Sequence, residues 1–311
     1  MMAMATLGSI GRWRDSPMKP WPSLIPYARE LKLSGENENL FLYDTGTEGK
    51  APAIILIHGL GDEADSWRHL IPLLAPRRVI APDLPGFGRS SGRSGVSLKR
   101  HARAIAELLV ETGPAILVGS SMGAVVAELA AFSVPALAVG LVMLDGGLPS
   151  TERLSPAMLR MLTPFLGERT YRAFRNDHAA AYSSLEPYYA DLAGLPEIDR
   201  TFLRGRVIAR VESETQLRAY FASMRSLVMT AATGSGRLAR SLAAYPGNIL
   251  LGWGEQDRIM SRDTARAIQA VRKDAKLVIF PGAGHLPQQE TPAAVAEAIT
   301  AFSLPITDRR V

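Results

Sequence analysis

Two adjacent serines stand in the stretch VGSSMGA at residues 118–124. Only Ser121 has glycine two places before it, Gly119, and two places after it, Gly123. A nucleophile on a sharp strand-to-helix turn needs that pair, because side chains there would collide with the flanking strand and helix. Ser120 is followed at the same distance by Met122 and lacks the spacing. A serine hydroxyl is a weak nucleophile near neutral pH until a base takes its proton. The chain has five histidines. His69 and His101 fall in helical patterns, His178 in the polar stretch RNDHAA, and His58 directly after an apolar run. His285 lies in PGAGHLPQQE, a glycine-punctuated loop after the last apolar run, and is the expected base. Its ring needs a carboxylate to fix the tautomer and stabilise the cation. Asp257 in WGEQDRIM is the expected acid, and Asp145 after VGLVMLDGG is the rival. The chemistry that Ser121, Asp257 and His285 point to is acyl transfer. No cofactor or metal is expected: the chain has no cysteine, no H-E-x-x-H, and too wide a gap between His58 and His69 for a helical ligand pair.

The elements that must position these residues are legible as apolar runs separated by helical patterns. NLFLYD (39–44) alternates as a strand does, and LKLSG before it can pair with it through a turn. AIILIHG (53–59), RRVIAPDLPG (77–86), AILVG (115–119), VGLVMLDGG (139–147), NILLGWG (248–254) and KLVIFPG (276–282) are further runs. Continuous apolar runs are expected of strands buried on both faces. SLKRHARAIAELLVE (97–111) opens on a capping serine, and Thr291-Pro292 opens another helix as cap and first-turn proline. MGAVVAELAAF, directly after Ser121, suits a helix buried against the sheet, with the positive end of its dipole at the serine. Alternation of this kind predicts an α/β protein with a mostly parallel sheet covered by helices on both faces.

The alternation breaks from about residue 148 to 238, where five prolines and helical stripes replace strands. Leu217, Tyr220, Phe221, Met224 and Leu227 form one such stripe, spaced as the core-facing side of a helix. The expected divisions are a leader over 1–35, a first core segment over 36–147, a helical cap over 148–238, and a second core segment over 239–311. With 311 residues, 47% of them hydrophobic, the chain can build a full core. Its formal charge of +5 is spread without a dense Lys/Arg run, which argues against nucleic acid as a partner. The opening MMAMATLGSIGRWRD lacks a signal-peptide pattern, and no segment reaches the roughly 20 apolar residues of a membrane span. The expectation is a cytoplasmic protein acting on a small molecule, with its oligomeric state open.

Five ordered blocks, IILIHGLGDEADSW, VIAPDLPGFGRS, LVGSSMGA, LGWGEQD and FPGAGHLPQQE, resemble the α/β-hydrolase superfamily from about residue 40 to 303. The order Ser121, Asp257, His285 is that of the superfamily's nucleophile, acid and base. The resemblance implies an eight-stranded-type sheet with a helical cap. It also implies an oxyanion hole made by the backbone amides of Leu60 and Met122, with His58 and Gly59 shaping the first of these turns. Asp83, Pro85, Gly86, Gly88 and Ser90 would form a structural turn near the site mouth. The expected activity is hydrolysis of a carboxylic ester through an acyl-enzyme. The Gly-Ser-Ser-Met-Gly elbow is also similar to the Gly-Asn-Ser-Met-Gly of hydrolases that cleave carbon–carbon bonds in ring-fission products. Those typically carry tryptophan after the histidine, where this chain has Leu286. A non-catalytic ligand-binding protein on the same fold is the third alternative.

Overall fold

The computed structural model describes residues 12–34, 38–46, 51–92, 96–150 and 156–307. Eight strands form one sheet: β1 (Ala28–Lys32), β2 (Asn39–Asp44), β3 (Ala53–Ile57), β4 (Val79–Pro82), β5 (Ala115–Ser120), β6 (Ala138–Leu144), β7 (Asn248–Gly254) and β8 (Lys276–Phe280). Their order is β1-β2-β4-β3-β5-β6-β7-β8. The first two strands join antiparallel, and all pairings from β4 onward are parallel. The fold is that of an α/β hydrolase, as the sequence blocks led us to expect.

The apolar runs are continuous because both faces are covered. Ile55 and Ile57 of β3, with Leu117 of β5 and Met143 of β6, belong to one core. Their neighbours Ile54, Leu56, Val118 and Leu144 belong to the other. That division follows from the two-residue period of a strand. The first core is closed by α1 (Leu98–Thr112), α2 (Met122–Ser133) and Ala265 and Ile268 of α8 (Arg262–Val271). Ser97 caps α1 by accepting from the Arg100 amide at 3.3 Å. The second core is closed by Val295, Ala296 and Ile299 of α9 (Pro292–Thr307) and by Trp67, Leu70 and Ile71 after β3.

Among the described residues, every regular element between β6 and β7 is helical: α3 (Pro156–Leu162), α4 (Leu166–Ala173), α5 (His178–Ser183), α6 (Glu197–Glu212) and α7 (Glu214–Ala244), with short 3-10 turns. The helical run therefore extends six residues past the expected boundary at 238. At the other end, β1 lies inside the segment read as a leader, so the sheet begins before residue 36. The residues ahead of β1 also pack on the body. Trp13 meets the Phe41 ring edge-on at 5.8 Å, and Trp21 meets Phe202 of α6 at 4.8 Å. No described helix is long and apolar enough to cross a membrane.

Candidate active site

Ser121 stands between the end of β5 and the first residue of α2 with φ 55° and ψ −118°, a left-handed conformation that costs a serine energy and persists only where its surroundings impose it. The surroundings do so by close approach of backbone. A Cβ added to Gly119 would lie 2.3 Å from the Gly123 carbonyl oxygen, and one added to Gly123 would lie 2.2 Å from that of Ile57. Gly146, after β6, is a third close contact: its Cβ would lie 2.4 Å from the Ser121 carbonyl oxygen. The sequence pattern around Ser121 does not include Gly146, although the Gly-Gly pair ending the β6 run was a visible signal. The two serines differ sharply. Ser120 is fully buried, its Oγ accepting from Gln288 Nε2 at 3.3 Å, whereas Ser121 is half-buried at the carboxyl end of the central strand β5.

His285 follows β8 and Asp257 follows β7, so both enter from the strand ends that also carry Ser121. His285 Nδ1 lies 2.9 Å from Asp257 Oδ2, with both side chains almost wholly buried. An ionised carboxylate only accepts, so Nδ1 carries the proton and Nε2 is left with its lone pair. The other oxygen, Asp257 Oδ1, accepts from the amides of Ile259 and Met260 at 2.7 and 3.1 Å. Burial pushes the Asp257 carboxyl up, but the hydrogen bond and charge of His285 and these two amides hold it below the ordinary carboxylate range. The His285 amide itself donates to the Tyr188 carbonyl at 2.9 Å, which ties the loop to the helical insertion.

Asp145, the rival acid, lies beside this pair rather than apart from it. One donor atom from each of Asp145, Asp257 and His285 falls within a span of 4.8 Å. Asp145 is fully buried, and its Oδ1 accepts from the Gly254 amide at 2.8 Å.

The turn after β3 brings Gly59 against the nucleophile: a Cβ there would lie 3.3 Å from both Ser121 Cβ and the Ser120 carbonyl oxygen. His58 fixes that turn. The Leu84 amide can only donate, so His58 Nε2 accepts from it at 2.9 Å, and Nδ1–H donates to the Gly59 carbonyl at 2.8 Å. Burial pulls the His58 ring below its ordinary pKa, which keeps the neutral tautomer this arrangement requires. Met122 is the first residue of α2, so its amide has no carbonyl four residues back within the helix. Of the two expected oxyanion donors, Met122 directly follows Ser121 and Leu60 follows Gly59, the residue that lies against Ser121. The Asp83 block forms a turn around a buried charge: Asp83 accepts from the Ala64 amide at 2.7 Å and pairs with Arg89, and Ser90 Oγ donates to the Asp83 carbonyl at 2.6 Å.

The helical insertion reaches the site through tyrosines that the sequence pattern assigned only to a stripe or not at all. The Tyr220 ring of α7 sits where a Cβ on Gly61 would be, 3.1 Å away, and the Tyr188 ring lies 5.8 Å from that of His285. The other stripe residues turn inward. Leu217, Phe221 and Met224 are 2%, 1% and 3% exposed and pack with Met161, Leu162, Tyr171 and the side chain of Leu60.

Known proteins carry the same framework. Residues 54–298 match the profile described as the alpha/beta hydrolase family. A pimeloyl-[acyl-carrier protein] methyl ester esterase of Edwardsiella ictaluri is 26% identical over 252 residues, covering 80% of this chain and 92% of that protein. A 2-hydroxy-6-oxo-6-phenylhexa-2,4-dienoate hydrolase of Comamonas testosteroni is 27% identical over 274 residues, covering 83% and 90%. Among solved structures, a thermophilic esterase of Thermogutta terrifontis superimposes with a TM-score of 0.71 at 23% identity, covering 90% of this chain and 99% of that one, a likeness of fold. With most of its length matched by the family profile and the family's architecture in its sheet, this chain belongs to the alpha/beta hydrolase family.

Proposed function

We propose that the protein is a serine hydrolase that cleaves a carboxylic ester through an acyl-enzyme. The observation that carries this reading is the elbow: of two adjacent serines, Ser121 alone is solvent-accessible, held at φ 55° by three glycine close approaches. In the first half-reaction Ser121 Oγ adds to the carbonyl carbon while its proton passes to His285 Nε2. The amides of Leu60 and Met122 hold the developing oxyanion, each such donor being worth about 3 kcal/mol. Collapse expels the alcohol, which takes the proton from the imidazolium. Water then attacks the acyl-enzyme by the same path, releases the acid and restores Ser121. Asp257 holds the tautomer and balances the imidazolium throughout. The helices between β6 and β7 act as a cap over the acyl group, with Tyr188 beside the His285 ring and Tyr220 against Gly61.

The related dienoate hydrolase keeps a carbon–carbon reading in view. The lack of tryptophan after His285, where Leu286 stands, weighs toward the ester.

Labelling with a fluorophosphonate probe, followed by peptide mapping, tests the nucleophile. The phosphonyl adduct should fall on Ser121 and vanish in Ser121→Ala with the circular dichroism spectrum unchanged. An adduct on another residue, or none, defeats the reading. A panel of p-nitrophenyl esters, lactones and one ring-fission dienoate tests the bond cleaved. Turnover of the dienoate well above every ester would replace ester hydrolysis by carbon–carbon cleavage.

A further inference from the structure

Asp145 is a buried carboxyl that the ester mechanism leaves without a task. It follows β6 at φ 48°, its amide donating to the Gly252 carbonyl at 2.9 Å and its Oδ1 accepting from Gly254 at 2.8 Å. These two bonds lock the side chain between the ends of β6 and β7. The second oxygen, Oδ2, is buried and finds no donor. Leaving a carboxylate oxygen dry and unsatisfied is strongly unfavourable, so such an atom calls for an explanation. Asp257 is the neighbour, and both its oxygens are engaged as acceptors, by His285 and by the Ile259 and Met260 amides. Two ionised carboxylates this close, with the Glu290 carboxylate also nearby, would repel each other strongly in a dry site.

We propose that Asp145 is a positioning residue that stays protonated at neutral pH, its Oδ2–H donating to Asp257 and fixing that carboxylate against His285. The proposal rests on the triad reading above. A single proton satisfies the orphaned oxygen, removes the repulsion and turns the pair into one singly charged acid. Burial first, and then the charge of Asp257, drive the Asp145 carboxyl well above the ordinary carboxylate range, against the pull of the Gly254 amide. Asp257 moves the other way. The proton thus has one oxygen to sit on, and it stays off the carboxylate that serves His285.

Asp145→Asn reproduces the donor with an amide. We expect its kcat within about three-fold of wild type, and the acid limb of its kcat/KM profile unmoved, since no charge is lost. Were Asp145 ionised, the same substitution would remove a negative charge beside His285 and shift that limb to lower pH by about one unit or more, which would overturn the proposal. Asp145→Ala cannot donate and should lose on the order of ten- to a hundred-fold in kcat with little change in KM. Full kcat in Asp145→Ala would show that no positioning is needed. Infrared spectra of wild-type protein labelled with 13C at the aspartate side-chain carboxyl provide a reading that needs neither variant to fold and does not depend on the triad. One protonated-aspartate band should be present at pH 7, and its absence sinks the proposal. A chelator that abolishes activity, with a divalent cation restoring it, would show a metal rather than a proton between the carboxylates. Should Asp257→Asn prove fully active, the triad reading fails while the infrared result still stands.

Discussion

At Asp257 the two carboxylate oxygens divide the work: Oδ2 holds His285 and Oδ1 holds the amides of its own loop. An asparagine keeps the size and loses the symmetry. With Oδ1 still claimed by two amides, the new NH2 group faces His285 Nδ1 and demands a lone pair there. The proton moves to Nε2, and the ring can no longer accept from Ser121. Asp257→Asn should therefore lose about 10^4-fold in kcat with an unchanged melting temperature. A loss of less than ten-fold would take the acid's role from Asp257. Ser120→Ala should behave oppositely. Its Oγ accepts one long bond from Gln288 Nε2, which also donates to Ser66 Oγ at 3.2 Å, so activity should stay within about two- to three-fold and stability within about 1 kcal/mol. The residue scale was the most legible in the sequence, since Ser121, Asp257 and His285 each follow an apolar run within a polar or glycine-marked turn. Asp257 is the expected acid and Asp145 its rival, because both end adjacent strands; what the sequence does not show is that the rival lies against the same pair, His285 meeting Asp257 with Asp145 beside them.

Among the elements, α2 has the most demanding position, with its first residue supplying an expected oxyanion donor and its body buried against the sheet. Glu128 sits inside it, fully buried, both carboxylate oxygens within 3.1–3.2 Å of the Leu148 amide. Burial pushes its pKa up to about 8, against the weaker pull of that amide. In the unfolded chain the same group ionises near the ordinary glutamate value. Between those two pH values the unfolded state binds fewer protons than the folded one, so the folded state loses stability as pH rises, by about 1.4 kcal/mol per pH unit at most. Glu128→Gln removes this titration. Urea unfolding at pH 5 and pH 8 should show wild type losing more stability than Glu128→Gln, with the two proteins close at pH 5. Parallel losses would mean that Glu128 is ionised in the fold. The apolar run MGAVVAELAAF announces a buried helix, but nothing in it shows that its one glutamate meets the Leu148 amide. Strand and helix runs were legible because their periods are local. The contacts of Gly146 with Ser121 and of Tyr220 with Gly61 were not, because each joins segments that only the closed sheet brings together.

Over the whole molecule, the helical insertion is fastened to the core by buried arginines of α6. Arg206 pairs with Asp65 at 2.9 Å and Glu63 at 3.4 Å, and Arg210 pairs with Asp62 and Glu63 at 2.6 and 2.7 Å. Asp199, on the same helix, pairs with Arg68 at 2.7 Å. The acidic partners of both arginines come from the segment after β3 that also carries His58, Gly59 and Leu60, so the helical insertion is anchored beside the proposed oxyanion turn. The chain before β1 is wedged into the same joint. Arg206 donates to the Lys19 carbonyl, the Trp21 amide donates to Asp65 Oδ1 at 2.9 Å, and both Trp21 and the Arg206 guanidinium pack on the Phe202 ring. Removing one member of a buried ion network leaves its partners uncompensated, which costs about 3–5 kcal/mol. Here Arg89 and Arg210 still face Asp65 and Glu63, so Arg206→Met should lie at the lower end, about 3 kcal/mol by urea unfolding. It should also raise KM for esters more than it lowers kcat, because the helical insertion loosens while the elbow stays. Trp21→Ala acts on the same joint through the ring contact with Phe202, since the backbone amide that serves Asp65 is kept. The two substitutions together should therefore cost less than their sum, by about 1 kcal/mol, as expected of residues that share partners. Strict additivity would mean that the segment before β1 and helix α6 are anchored independently, and the joint would then be two contacts rather than one.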